Sequence, residues 1–126
     1  MSHFTDIKPK TVLKNVQALE MACKELGLEL MKDGVARGYA GQTTKGDYVI
    51  KLKGPYDVAL VQSENGYAIR TDWWGGHVER EIGKNAGRLL QEYGVAAATM
   101  EARKKGYLVK KNVMQDGSIK LTVGVR

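Results

Sequence analysis

An apolar face with spacings of three and four residues runs from Val16 to Leu26 and predicts the first helix. Asn15 precedes this face and has the side chain that a helix N-cap requires. Gly27 follows it and is well placed as the glycine that ends a helix. We therefore predict one short helix close to the start of the chain.

A longer apolar face begins near Glu79 and continues for about twenty residues. Gly106 is expected to close this helix. Gly94 lies inside it and predicts a kink or a break between two helices, because glycine is a weak helix former. Gly83 and Gly87 are one turn apart and would allow another backbone to come close.

The remaining apolar runs predict strands joined by tight turns, at 2–8, 28–35, 48–52, 58–61, 67–72 and 107–125. The dipeptides Asp33-Gly34, Asn65-Gly66 and Asp116-Gly117 are typical of hairpin turns. We therefore predict a single α+β domain over residues 1–126. It would contain a mostly antiparallel sheet of about six strands with two helices packed on one face. The other face would be solvated, cover a ligand or meet another subunit.

Composition limits the environment in which this chain can work. The chain has one cysteine, Cys23, which excludes an internal disulfide, and no Cys/His cluster has zinc spacing. The first residues contain no apolar run typical of a secretory signal, and no stretch has the length of a membrane span. We expect a cytoplasmic protein without membrane contact, metal or cofactor.

The charge balance is basic, with 20 Lys+Arg against 14 Asp+Glu and a formal net charge of +6. Such an excess favours a phosphorylated or polyanionic partner, and nucleic acid is one possibility. The charges are scattered along the sequence, so a plain contribution to solubility is an equally good interpretation.

Residues 37–47 combine three glycines, two cations and several hydrogen-bond donors, with little to bury. Backbone amides freed by glycine, together with these side chains, can bind an anion. The Walker A spacing is absent, and a flexible solvated hairpin is the alternative. If the segment is a binding loop, its ligand contacts are Arg37, Gln42, Thr43, Thr44 and Lys45, and Lys51 on the following strand.

A second unusual segment contains both tryptophans, Trp73 and Trp74, followed by His77. If the pair lies in a strand, one ring points into the core and the other is exposed. An exposed tryptophan beside a cation is a platform for a nucleobase, and Tyr39 is a further candidate. The alternative is that both indoles pack inside and that His77 is structural. We expect this segment and residues 37–47 to form one face of the protein.

No arrangement typical of catalysis can be identified in the sequence. Neither a Ser–His–Asp set nor an acidic cluster is present, and His3 and His77 are isolated. Asp57 and Asp72 are expected to form ordinary salt bridges, with Arg37 or Lys51 as partners. We therefore predict that the protein is not an enzyme and has no catalytic residues.

Several motifs resemble one plastid and cyanobacterial family, known as hypothetical chloroplast open reading frame thirty-five. Its function is unknown, and bacteria and phages carry relatives. The match follows the order of the family over nearly the whole chain, although residues 92–96 depart from it. The motifs are Met1-Ser2-His3-Phe4, Arg37-Gly38-Tyr39, Gly41-Gln42-Thr43-Thr44, Tyr56-Asp57, Asp72-Trp73-Trp74-Gly75 and Asp116-Gly117-Ser118-Ile119. The resemblance implies a small protein of the cytoplasm or the plastid stroma, or of the host cytoplasm if a phage encodes it, and it transfers no catalytic residue.

Together these features predict a non-enzymatic protein that binds a small anionic, nucleotide-type ligand. It would act as a homo-oligomer with sites between subunits. Because phages carry relatives, one form of this function is a viral protein that sequesters a host immune signalling nucleotide. The alternatives are an accessory subunit of a larger complex and a basic binder of single-stranded nucleic acid.

Overall fold

Five antiparallel strands form the main sheet in this computed structural model, which describes residues 3–9 and 12–125. The strand order is β1-β5-β4-β3-β2, so every connection except the first joins neighbouring strands. The bounds are β1 Thr5–Ile7, β2 Glu29–Arg37, β3 Thr43–Lys51, β4 Val58–Ser63 and β5 Gly66–Thr71. The first strand predicted at 2–8 is therefore β1, and residue 2 of that prediction lies outside the described residues.

The first helix, α1 (Val16–Glu25), begins and ends as the sequence predicts. The side chain of Asn15 accepts a hydrogen bond from the amide of Ala18 at 3.1 Å and so caps the N-terminus. At the other end Gly27 has a φ of +72°, and the amide of Leu28 donates to the carbonyl of Cys23 at 2.8 Å. This pattern satisfies carbonyls that the helix would otherwise leave without partners.

The second helical region is divided into α2 (His77–Ile82) and α3 (Gly87–Lys104). The division lies at Gly83, whose φ is +88° and whose absent Cβ would stand 2.7 Å from the amide nitrogen of Arg88. The predicted kink or break at Gly94 is wrong, because α3 continues through it. Gly106 (φ +82°) closes α3 as predicted. Among the described residues, no helix has the length and apolar character that crossing a membrane requires.

The main core lies between one face of the sheet and the helices α1 and α3. Ile50, Leu60 and Ile69 come from β3, β4 and β5, and Leu19 and Leu89 come from α1 and α3, all without solvent exposure. The predicted arrangement of an α+β domain with helices on one sheet face is confirmed.

The hairpin of β2 and β3 is longer than the sequence predicts. Asp33 and Gly34 do not form a turn, because they lie inside β2 opposite residues 46 and 47 of β3. The chain instead reverses at residues 38–42, and the segment from Thr43 that was expected to be loop is strand. Beyond Asp33, where φ is +52°, the hairpin packs onto the second face of the sheet, and Ala36 is buried there against Val49 and Ala59.

The last two strands, β6 (Leu108–Val113) and β7 (Ile119–Gly124), form a separate two-stranded sheet beside α3. Their turn contains Asp116-Gly117, as predicted. The expectation of about six strands in one sheet is therefore replaced by five strands and a separate pair. The ammonium of Lys111 lies 3.5 Å from the carboxylate of Glu92, which attaches the hairpin to α3.

Candidate functional site

The side chain of Arg37 lies at the end of β2 and binds a buried carboxylate, that of Asp57. Its Nε and Nη2 atoms donate to the two carboxylate oxygens at 2.8 and 2.9 Å. The amides of Arg37 and Leu52 donate to the same carboxylate at 3.0 and 3.1 Å. Asp57 has no solvent exposure, whereas 48% of the Arg37 side chain is exposed. The salt bridge predicted for these two residues is confirmed.

Two opposing effects set the pKa of Asp57. Burial raises the pKa, but the guanidinium of Arg37 and the two backbone amides lower it by more, so it lies below its usual value. The same contact raises the pKa of Arg37. The ammonium of Lys51 is a second cation beside Asp57, 3.4 Å from the carboxylate and 3.2 Å from the carbonyl of Val35.

These contacts restrict what Arg37 can offer to a ligand. Its Nη2 atom also donates to the carbonyl of Gly54 at 2.9 Å, so this atom and Nε are committed within the fold. Only the outer edge of the guanidinium remains open to solvent. The bidentate phosphate contact predicted for Arg37 would require the Asp57 pair to open.

The buried carboxylate of Asp72 joins the two segments that the sequence places on one face. One oxygen accepts a hydrogen bond from the amide of Tyr39 at 3.2 Å, and the other accepts one from the amide of Trp74 at 3.0 Å. Asp72 is 1% exposed, which protects these bonds from water. The hairpin turn and the tryptophan segment are therefore attached to the same side chain.

Tyr39, Trp74 and His77 form a continuous aromatic surface. The ring centroids of Tyr39 and Trp74 are 5.0 Å apart, and those of Trp74 and His77 are 6.5 Å apart. Trp74 is 52% exposed and Tyr39 is 38% exposed, which is unusual for rings of this size. Behind them the buried ring of Tyr56 meets His77 edge to face at 5.2 Å. The prediction that the two segments form one face is confirmed for the part of residues 37–47 around Tyr39.

One tryptophan packs against the core and the other is exposed, as expected. The cause is not the alternation of side chains along a strand. The two residues do not lie in a strand, because Trp73 precedes a short 3₁₀ turn that begins at Trp74. Trp73 is half-buried and packs against the main core, whereas Trp74 projects outward. Gly75 has a φ of +74°, and a Cβ there would stand 3.0 Å from the ring of His77. Glycine at 75 therefore lets the imidazole lie directly over the backbone.

Arg80 on α2 places a cation beside the aromatic surface. It is not among the ligand-binding residues predicted from the sequence. Its Nη2 atom lies 3.4 Å from the carbonyl of Gly75, next to Trp74, and its side chain is exposed. The spacing of three residues from His77, one helical turn, is a signal that could have identified it.

The other predicted ligand contacts lie on the hairpin. The amide of Gln42 donates to the carbonyl of Tyr39 at 3.1 Å, and its own carbonyl accepts from the amide of Gly38 at 2.8 Å, so these groups close the turn. Thr43 and Thr44 belong to β3 and pair with β2. Lys45 is exposed and lines a shallow cleft that includes Asp33, Val35 and Asp47 but none of the aromatic side chains. These residues do not converge with Trp74.

Within the described residues, no group of three or more His, Cys, Asp or Glu side chains could hold a metal ion. Cys23 is buried, and its burial, with a smaller contribution from Glu20, raises the pKa of the thiol to about 12. A protonated, inaccessible thiol is a poor nucleophile. The site offers stacking surface and positive charge, and we identify no acid–base pair in it.

Comparisons with known proteins place this chain in a family. Residues 22–122 match the family described as "Protein of unknown function (DUF1257)". The chain is also 31% identical over 127 residues to the uncharacterized protein ycf35 of Guillardia theta. The aligned region covers 98% of this chain and 96% of that protein. No solved structure matches the chain. The resemblance identified from the sequence motifs is thus confirmed: the chain is similar to ycf35 over nearly its whole length and belongs to the DUF1257 family.

Proposed function

We propose that this protein is a non-enzymatic binding protein of the cytoplasm or stroma whose ligand lies on the aromatic surface of Tyr39, Trp74 and His77. The observation that carries the proposal is the exposure of Trp74, at 52%, on a backbone fixed by the buried carboxylate of Asp72. Leaving an indole in water has a free-energy cost unless a partner covers it. A rigid exposed ring loses little entropy when a ligand stacks on it.

The ligand we propose is a planar anionic molecule of the nucleotide type. Tyr39 and Trp74 are too close, at 5.0 Å between centroids, for a base to enter between them, because two stacking distances total about 7 Å. The base would instead stack on the outer face of Trp74, an interaction worth about 1–3 kcal/mol. A phosphate would then meet Arg80, with the outer edge of Arg37 as a further source of positive charge.

The exposed rings of Tyr39 and Trp74 also favour a second function, docking of a partner protein by an accessory subunit. Four clefts on the described residues are partly open to solvent, and their linings do not include Tyr39 or Trp74. Small-molecule sites are usually concave, whereas protein interfaces are flatter and rich in tryptophan, tyrosine and arginine. Sequestration of a host signalling nucleotide, which the family resemblance suggested, stays a prediction.

Thermal unfolding in the presence of a panel of nucleotides tests the proposal. A nucleotide that binds should raise the melting temperature by several degrees at a concentration of about 100 Kd. Trp74→Ala should abolish this shift, and Tyr39→Ala should reduce it. Tyr107→Ala is a matched control, since Tyr107 is 39% exposed and Tyr39 is 38% exposed. It should retain the full shift.

Native mass spectrometry of freshly purified protein separates the two functions. A retained small molecule that is released intact on denaturation supports sequestration without catalysis. A product of altered mass would overturn the non-enzymatic proposal. No shift with any nucleotide, together with co-purification of a protein that Trp74→Ala releases, would favour the accessory subunit. If Trp74→Ala behaves as wild type in both assays, the aromatic surface is not the site.

A further inference from the structure

The strand β7 is the open edge of a two-stranded sheet. In the part of the chain that the structure describes, it pairs with β6 alone. The amide of Met114 donates to the carbonyl of Ser118 at 2.8 Å, so these residues form a hydrogen-bonded pair. Such pairs alternate along an antiparallel ladder. The backbone groups of Ile119, Leu121 and Val123 therefore point away from β6, toward the open edge.

Every second side chain of β7 from Ile119 onward is apolar, and these side chains share one face of the strand. Ile119, Leu121 and Val123 alternate on one face of β7, and Val123 is 51% exposed. The strand contains no proline and only one charge, Lys120. An edge strand of this composition lacks the prolines and multiple charges that normally prevent pairing with another chain.

The opposite edge of the same hairpin is different. β6 has two consecutive lysines, Lys110 and Lys111, and the ammonium of Lys111 lies 3.5 Å from carboxylates of both α1 and α3, those of Glu25 and Glu92. This edge is therefore anchored to the helices. The asymmetry leaves β7 as the edge available for pairing.

We propose that β7 pairs antiparallel with β7 of a second copy of this chain, so that the two hairpins form a four-stranded sheet across a two-fold axis at Leu121. In this register Ile119 lies opposite Val123 of the second copy, and Leu121 lies opposite itself. Lys120 then lies opposite Thr122 of the second copy, so like charges do not meet although each chain has a net charge of +6. A two-fold axis of this kind closes the assembly at a dimer.

Pairing with a second copy would also stabilise the hairpin of β6 and β7. A two-stranded sheet is marginally stable in water, and β6–β7 is supported mainly by α3, with Lys111 also in contact with Glu25 of α1. Pairing through β7 satisfies the outward amides and carbonyls and covers the exposed side of Val123. The proposed interface is distant in sequence from the aromatic surface and does not depend on the proposed ligand.

Sedimentation equilibrium of the intact chain, with two matched variants, tests the proposal. The wild type should have twice the mass of one chain, 13.9 kDa, and dissociate on dilution. Val123→Lys places a cation opposite Ile119 and should give the monomer mass at concentrations where the wild type is a dimer. Val113→Lys is the control, because Val113 is also an exposed valine of this hairpin, at 68%, but lies on β6. It should remain a dimer.

Amide hydrogen exchange gives a readout for individual residues. The amides of Ile119, Leu121 and Val123 should exchange about tenfold more slowly at high than at low protein concentration. The amides of Val109 and Lys111, at the β6 edge, should show no such dependence. A monomeric wild type at all concentrations, or a dimer that persists in Val123→Lys, would overturn the proposal. Because Trp74→Ala should remain a dimer, failure of the ligand proposal would be distinguishable from failure of this one.

Discussion

The carboxylate of Asp57 is completely buried, while the side chain of Arg37 that binds it is 48% exposed. Removing Arg37 should therefore affect the stability of the fold differently from removing Asp57. Arg37 without its partner can turn toward water. Asp57 without Arg37 would remain an anion in the interior, with only the ammonium of Lys51 and backbone amides beside it, and a poorly compensated buried charge is costly.

We expect Arg37→Met to lower the free energy of unfolding by about 3–5 kcal/mol, because it leaves the buried carboxylate without its main partner. Asp57→Asn should cost less, since an amide oxygen can still accept from the amides of Arg37 or Leu52. Urea denaturation of the two variants measures both quantities. Arg70→Met is the control, because Arg70 binds the exposed Asp6 with similar geometry, and its loss should cost at most about 1 kcal/mol. Equal losses for Arg37→Met and Arg70→Met would contradict the argument.

The same pair gives stability a defined dependence on pH. The pKa of Asp57 is lower in the folded protein than in the unfolded chain, where it is about 3.9. Between these two values the unfolded chain binds more protons, so stability rises with pH. The contribution is complete above the unfolded pKa and is lost as the pH falls through the folded one.

Asp57→Asn should therefore show a smaller loss of stability than the wild type when the pH is lowered below about 4. Asp6 and Asp116 also have lowered pKa values, but both remain in the variant, so the difference between the two curves isolates Asp57. Urea midpoints measured between neutral and acidic pH provide the curves. Parallel curves would mean that Asp57 titrates alike in the folded and unfolded states.

Features that depend on a few neighbouring residues could be predicted from the sequence. The cap at Asn15 and the glycine at 27 require only local backbone geometry, and both are confirmed. The turn at Asp116-Gly117 is local as well. The tryptophan segment and residues 37–47 were also expected on one face, because both have an unusual composition, although their contact is not a local feature.

Most features that depend on distant partners could not be predicted. Asp33-Gly34 has the composition of a turn, but pairing with β3 and packing against Val49 keep it inside a strand. A salt bridge between Arg37 and Asp57 was expected, but not that the carboxylate would be buried and would occupy the donors of Arg37 that were expected to bind a phosphate. Nothing close to Arg37 in the sequence indicates that Asp57 would be buried beside it.

The thiol of Cys23 should be inert in the folded protein. Its side chain is buried, and its pKa of about 12 leaves a far smaller thiolate fraction at pH 8 than an ordinary cysteine has. Iodoacetamide should therefore label the native protein only as fast as it unfolds, and should label it at the normal rate in urea. Mass spectrometry of timed samples measures both rates. Fast labelling of folded protein would show that α1 opens locally.

Two glycines in the last helical region should respond to alanine in opposite ways. Gly94 lies inside α3, and a Cβ there would have no atom within 4 Å, so Gly94→Ala should stabilise the protein by about 0.5–1 kcal/mol. Gly83 has a φ of +88°, and a Cβ there would approach the Arg88 amide nitrogen to 2.7 Å. Gly83→Ala should therefore destabilise by about 1–3 kcal/mol. Thermal and urea unfolding of the two variants measure both changes in the free energy of unfolding. If Gly94→Ala also destabilised the protein, the uninterrupted course of α3 through Gly94 would be contradicted, and a neutral Gly83→Ala would contradict the strain argued for an L side chain at Gly83.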